Sequence, residues 1–322
     1  MYLSIIWQGI LMGKKLFFRE DGRFRLMQLT DIHYTQEDPA ADSRTIALMR
    51  EMIRAEQPDF IMITGDTVYG PRAAELLKPA LEPVLESGVP WCFAFGNHDS
   101  EYDGNRRELF EQVVTLPGCR SYHDDASGDG VGNCVLELCG RNGKAQWLLF
   151  SIDSGDYLPN RQVGGYGYVT GRQIQWYRDT IAAYEKSGDS FSAMVFMHMA
   201  LHEHAEVWKY EVCYGTKRDG VGHSRINSGF FSAMLEAGHT KGVFVGHDHV
   251  NDYWGLLYGV ALGYGRCTGF DTYGAQDFLR GCRMFTFREG DTEHFETYVR
   301  LEHGIVVDDP WIQHPILKRD EG

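Results

Sequence analysis

The sequence predicts an α/β fold, with a largely parallel sheet in its first third and an antiparallel strand pair near its end. Three observations carry this. Short apolar runs recur along the chain, and each ends at a polar or charged residue. The early runs alternate with stretches whose apolar residues recur every three or four positions, the order that right-handed βαβ units require. The segment Cys282 to Leu301 instead alternates about Glu289-Gly290-Asp291, which suits an antiparallel hairpin.

In order, the runs Phe24 to Thr30, Phe60 to Thr64, Pro90 to Phe95, Trp147 to Ile152, Ala193 to Met197 and Gly242 to Gly246 read as buried strands. Ser43 to Glu56 reads as a helix because Ile46, Met49 and Ile53 share one face, and Ala73 to Ser87 reads likewise. Gly171 to Lys186 and Ser228 to Ala237 follow as helices, the second with Asn227-Ser228 as its N-cap. No internal repeat, low-complexity tract or linker interrupts the pattern. The expected organisation is an N-terminal appendage (1–22), one enzyme-sized domain (23–305) and a C-terminal tail (306–322).

Composition narrows the function classes. Hydrophobic content of 43% and charged content of 24% are ordinary for a globular chain of 322 residues. A formal charge of −14 repels a polyanion, so nucleic acid is not expected as a general partner. A small phosphorylated substrate or a phosphoprotein stays admissible, because bound divalent ions reverse the sign of the field inside one cleft. The seven cysteines are scattered and include no C-x-x-C pair, which points to a reduced, cytoplasmic chain. Met1 to Met12 is apolar but lacks a preceding positive charge and a cleavage pattern, and it is shorter than the ~20 residues a spanning helix needs, so neither signal peptide nor membrane anchor is expected.

The chemistry-bearing residues fall at the ends of the strands. Asp31 and His33 follow the first; Asp66 follows the second, after Gly65; Asn97, His98 and Asp99 follow the third, after Gly96; His198 follows the run ending at Met197; and His247 and His249 follow the run ending at Val245, after Gly246. A single His or Asp at a strand end is ordinarily a solvated loop residue. Five strand ends each delivering oxygen or imidazole donors are hard to ascribe to chance, because ligands of α/β sheets bind outside the carboxyl ends of the strands. Two adjacent metal ions that clamp a phosphoryl group need about seven protein ligands with one carboxylate shared. Asp31, His33, Asp66, Asn97, His198, His247 and His249 supply that number.

In these blocks, taken in order as Asp31-Ile32-His33, Gly65-Asp66, Gly96-Asn97-His98-Asp99, His198 and Gly246-His247-Asp248-His249, the sequence resembles the calcineurin-like metallophosphoesterase superfamily. The resemblance implies a four-layer α/β/β/α sandwich of two mixed sheets. It implies one metal on Asp31, His33, Asp66 and His249 and a second on Asp66, Asn97, His198 and His247, with Asp66 bridging. It also implies that a metal-bridging hydroxide attacks phosphorus, and that His98 contacts the phosphate and stabilises or protonates the transition state, with Asp99 orienting it. The expected ions are Mn, Fe, Zn or Co, which suit a mixed Asp, Asn and His shell.

A narrower likeness, to the purple acid phosphatase branch with its plant type-29 and yeast Dcr2-like members, rests on Arg225 to Phe231, Gly246 to Tyr253, and Gly164 to Val169 with Gln175-Trp176. Gly65-Asp66-Thr67-Val68-Tyr69 matches the purple phosphatases' block whose tyrosine binds ferric iron. The chain departs from that pattern at His33, where the coloured enzymes have glycine, so Tyr69 is expected to be redundant as a ligand. His202 and Asn227 are candidate substrate contacts, although a turn residue and a helix cap would explain them equally well. The reaction implied is hydrolysis of a phosphate ester, a phosphomonoester first, with a phosphodiesterase as the alternative and a non-catalytic protein-binding scaffold as the competing class.

Overall fold

The computed structural model describes residues 15–318. Its elements run β1 (Lys15–Phe17), β2 (Arg23–Leu29), α1 (Pro39–Glu56), β3 (Phe60–Thr64), α2 (Ala73–Ala80), α3 (Glu82–Ser87), β4 (Trp91–Ala94), α4 (Arg106–Val113), β5 (Cys134–Cys139), β6 (Ala145–Ser151), α5 (Gly171–Glu185), β7 (Ser192–Phe196), α6 (His202–Tyr210), β8 (Cys213–Tyr214), α7 (Phe230–Ala237) and β9 (Thr240–Val245). They close with β10 (Trp254–Leu257), β11 (Val260–Tyr264), β12 (Gly281–Arg288), β13 (Glu296–Leu301), β14 (Val306–Val307) and β15 (Ile312–Gln313).

Two mixed sheets face each other. One orders its strands β1-β5-β6-β7-β9-β11-β10-β8-β15 and the other β14-β13-β12-β2-β3-β4. Parallel pairing links β2, β3 and β4 in one sheet and β6, β7, β9 and β11 in the other. The expected hairpin near the end is β12 and β13, antiparallel with Phe285 opposite Thr297.

The period of two explains why these strands read as unbroken apolar runs. In β3, Phe60 and Met62 enter the core between the sheets, while Ile61 and Ile63 face α1, α2 and α3. In β7, Met194 and Phe196 face inward, and Ala193 and Val195 face the layer of α5, α6 and α7. A strand buried on both faces has no polar side to show. Phe244, Phe285 and Trp147 fill the inter-sheet layer at 0% exposure, and truncating such a side chain to Ala costs about 3–5 kcal/mol.

The structure corrects several boundaries. α1 begins at Pro39 rather than Ser43, because the Asp38 side chain accepts from the Ala40 and Ala41 amides at 3.0 Å and Pro39 is pre-set for the first turn. The stretch expected as one helix over 73–87 is two, divided at Leu81. Pro83 has no N–H to offer the carbonyl of Pro79, and its ring collides with that carbonyl in a continuous helix. α7 starts at Phe230 with Gly229 as its cap at φ 81°, and Asn227 closes the turn before it by accepting from the Gly229 amide. Parts of the expected appendage and tail are sheet: β1 pairs with β5, β14 with β13 and β15 with β8, each supplying partners to open edges. Residues 1–14 and 319–322 lie outside the described residues, and with them the expectation about Met1 to Met12. No described helix is long and apolar enough to cross a membrane.

His204 on α6 is fully buried, with Nδ1 accepting from the Leu201 amide at 3.2 Å. Burial pushes its pKa down to about 4. An unfolded histidine takes a proton below about 6.5. Stability from the neutral ring is therefore full above that pH and is lost as pH falls toward 4, roughly 3 kcal/mol in all. His204→Gln keeps an acceptor without titrating. In urea unfolding at pH 7 and pH 4.5, the stability advantage of the wild type over this variant is expected to shrink by at least about 2 kcal/mol at the lower pH. A constant difference would show that the ring is not held neutral.

Candidate metal centre

The donor residues gather where the carboxyl ends of strands from both sheets meet. β2, β3 and β4 deliver Asp31, His33, Asp66, Asn97 and His98 from one sheet; β7 and β9 deliver His198, His247 and His249 from the other. Donor atoms of Asp31, His33, Asp66 and His249 all lie within 4.8 Å of one another, and so do those of Asp66, His198 and His247. Asp66 belongs to both groups. Asn97 joins the second, its Oδ1 lying 3.2 Å from His198 Nε2.

The local backbone is bent to bring these groups together. Asp31, His33, Asp66 and His247 all have positive φ, between 47° and 76°, a conformation that non-glycine residues adopt at a cost of order 1–3 kcal/mol and that clusters at functional sites. Gly96 is required by close approach: a Cβ there would fall 2.1 Å from Asp66 Oδ1.

The donor set fits cations. His198 Nδ1 faces the Thr64 carbonyl at 2.8 Å and so carries the hydrogen, which turns the Nε2 lone pair toward Asp66 Oδ2 at 3.1 Å and the Asn97 oxygen. His33 Nε2 lies 3.4 Å from the same Asp66 oxygen. His33 Nε2, Asp66 Oδ2 and His247 Nδ1 are buried without a hydrogen-bond partner, and His249 turns Nε2 toward Asp31 Oδ1 at 3.5 Å. Buried donors and acceptors rarely stay unpaired, and lone pairs aimed at one another are stabilised by a positive charge between them.

The electrostatics follow from this crowding. Burial would raise the Asp31 carboxyl, but the His249 hydrogen bond and charge hold it down at about 2. Asp66 is likewise held well below the usual carboxylate range, burial being outweighed by His198 and His33. Burial works against charge on His198, yet the Asp66 carboxylate favours a cation at its Nε2, a proton or a metal ion, and carries its pKa up to about 9. His247 has less compensation, so burial and the neighbouring His198 push it down to about 3.

The contacts of some expected residues differ from those expected of them. The Asp99 carboxylate, expected to orient His98, is buried and accepts from the backbone amides of Gly96, Asp66, Thr67 and Val68, so it ties two ligand loops together. The carboxylate beside the His98 ring is Glu101: its Oε2 lies 2.5 Å from His98 Nδ1, and its Oε1 accepts from Tyr157, whose hydroxyl also accepts from the Asn97 side-chain amide. His202 stacks on His223 at 3.9 Å, and Asn227 donates to Glu203 at 3.0 Å; both line a separate small cavity outside the metal cleft. Tyr69 packs against His33 and His98, and the hydrogen bond its hydroxyl shares with Tyr102, with burial, pushes its phenol up to about 12.

Other groups at the site have no role in the sequence reading. The Tyr273 ring stacks on His249 at 4.2 Å, and Arg280 beneath donates to the His249 and Tyr273 carbonyls. Buried Asp248, its carboxyl raised to about 6 by burial, accepts from Tyr264 at 2.6 Å. Glu101 had a signal, three residues after His98, whereas Tyr273 and Arg280 reach the site only through the fold.

Known proteins resemble this chain in sequence and in fold. The calcineurin-like phosphoesterase profile matches residues 24–251. The Arabidopsis thaliana protein named "Probable inactive purple acid phosphatase 14" is 31% identical over 90% of this chain and 83% of its own length. Phosphatase Dcr2 of Saccharomyces cerevisiae is 27% identical over 75% of this chain and 46% of its own length. A dimetal phosphatase from Danio rerio shares the fold at a TM-score of 0.60 with 13% identity, over 85% of this chain and 98% of that one. With the profile spanning most of the chain, and a relative this similar along nearly all of it, the chain belongs to the calcineurin-like phosphoesterase family.

Proposed function

We propose that this chain is a two-metal phosphomonoesterase in which Asp31, His33, Asp66 and His249 hold one ion and Asp66, Asn97, His198 and His247 the other. The observation that carries the reading is Asp66, which belongs to both donor groups and whose Oδ2 is buried without a hydrogen-bond partner. When bound, two divalent ions of the Mn, Fe, Zn or Co kind neutralise phosphoryl oxygens and activate water for in-line attack. The protein's own groups do the rest. His98, held through Nδ1 by Glu101, presents Nε2 to the phosphate or the departing oxygen, and Asp99 keeps the Asp66 and Asn97 loops in register.

The plant relative carries the word inactive in its name, but in this chain every residue of the expected donor set is present at one cleft. Preference for a monoester is supported by the relative named a phosphatase, Dcr2. A reducing, cytoplasmic setting is supported by seven cysteines that are all free.

The test is hydrolysis of p-nitrophenyl phosphate and bis-p-nitrophenyl phosphate, side by side, on protein reconstituted with Mn²⁺. The monoester is expected to turn over faster, and chelation is expected to abolish both activities. Preference for the diester would move the reading to a phosphodiesterase. Turnover that survives chelation would reject the two-metal reading.

A further inference from the structure

We propose that the alcohol half of the substrate is positively charged, and that the cleft selects the phosphate ester of a small amino or quaternary-ammonium alcohol. The inference rests on the two-metal reading for the phosphate end and concerns the remainder of the cleft. That cleft has a volume of about 530 Å³. At its floor the buried, unpartnered Asp66 Oδ2, His33 Nε2 and His247 Nδ1 mark where the metals and the phosphate are held.

Above the floor, the lining includes the carboxylates of Asp219 and Asp271 and no lysine or arginine. Asp219 accepts from the Tyr273 hydroxyl and the Gly220 amide, and Asp271 from the Thr35 hydroxyl at 2.8 Å. Neither forms an ion pair among the described residues. Neither adjacent basic side chain pairs with these carboxylates: Lys217 Nζ donates to the backbone carbonyl of Asp219, and Arg218 donates to the Asp277 carbonyl at 3.0 Å beside Phe278. Tyrosine rings complete the walls, with Tyr166 4.4 Å from His247 and Tyr273 4.2 Å from His249.

Carboxylates without an ion-pair partner and electron-rich tyrosine rings have one ligand chemistry in common, the attraction of a cation. The metals and the substrate phosphate account for each other's charge. A second anionic group on the substrate would therefore meet Asp219 and Asp271 without an intervening ion pair, at roughly tenfold in affinity for each like charge a few ångströms away. Nucleotides, polyphosphates and phosphorylated acids are disfavoured by the same walls that hold an ammonium group.

The experiment compares kcat/KM for phosphorylcholine, glycerol 3-phosphate and 3-phosphoglycerate on the full Mn²⁺-loaded chain at low ionic strength, with p-nitrophenyl phosphate as reference. The choline ester is expected to exceed the phosphoglycerate by at least about thirtyfold, with the glycerol ester between them. The ratio is expected to fall severalfold between about 20 mM and about 300 mM sodium chloride. Asp219→Asn combined with Asp271→Asn, which keeps hydrogen-bond acceptors at both positions, is expected to cut the ratio about tenfold. Calorimetric binding of the choline and glycerate esters to Mn²⁺-loaded His98→Ala protein is expected to give the same order without turnover. Chelator-sensitive hydrolysis of p-nitrophenyl phosphate with a flat or inverted ratio would overturn this inference and leave the proposed function standing. Absence of turnover together with absence of phosphorylcholine binding would overturn both. Retention of the binding order without turnover would support the charge preference and count against the catalytic reading.

Discussion

Asp66→Asn is expected to lower the bound metal from two ions per chain to fewer than one, and the hydrolysis of p-nitrophenyl phosphate by about a thousandfold, equivalent to ~4 kcal/mol of transition-state stabilisation. The substitution is nearly isosteric and keeps an oxygen for the His98 amide, which donates to Asp66 Oδ1 at 2.8 Å. What it removes is the negative charge that faces His198 at 3.1 Å and His33 at 3.4 Å. Because Asp66 belongs to both donor groups, one missing charge weakens both sites, whereas His247→Asn removes a donor from the second group only and is expected to leave one ion bound. Metal analysis after gel filtration, with circular dichroism to show that the fold persists, reads the result. Two ions retained by Asp66→Asn would remove the shared carboxylate from the proposal.

Which parts of this arrangement are legible in the sequence depends on whether the signal is local. The strands carrying Asp31, Asp66 and Asn97 are legible because burial on both faces leaves an apolar run that stops where the ligand begins. β5 and the β10–β11 hairpin carry no comparable punctuation and do not emerge from the apolar runs, although β5 pairs along its whole length with β6. Asp38-Pro39 is a local start signal, yet periodicity alone begins the helix at Ser43. The donor set is legible because each member sits beside a strand end. The partner of His98 is not: Asp99 is adjacent in sequence, but a short helical turn sends its carboxylate down onto four backbone amides and brings Glu101, three residues on, up to the imidazole. The walls of the cleft are the least legible, since the loop of Asp219 and the loop that carries both Asp271 and Tyr273 lie far apart in the chain.

His98→Ala is expected to reduce kcat for p-nitrophenyl phosphate by about a hundredfold and for an alkyl phosphate by about ten times more, within the range of a positioned acid. p-Nitrophenolate leaves without help, while an alkoxide needs a proton as the bond to phosphorus breaks. His98 is placed for that transfer, with Nδ1 taken by Glu101 and its ring 5.2 Å from the ring of His33. The two neighbouring carboxylates then separate by readout. Glu101→Gln is expected to lower kcat on the alkyl ester at unchanged metal content and unchanged Tm, because the amide oxygen still accepts from Tyr157 beside Asn97 and only the charge that holds the imidazole is lost. Asp99→Asn is expected to lower Tm and metal content together, because an amide accepts less well from the backbone of Gly96, Asp66, Thr67 and Val68 and its NH₂ group meets donors. If instead Asp99→Asn reproduced the leaving-group dependence of His98→Ala at full metal occupancy, the carboxylate at 99 would act on the imidazole during turnover and the assignment of Glu101 would fall.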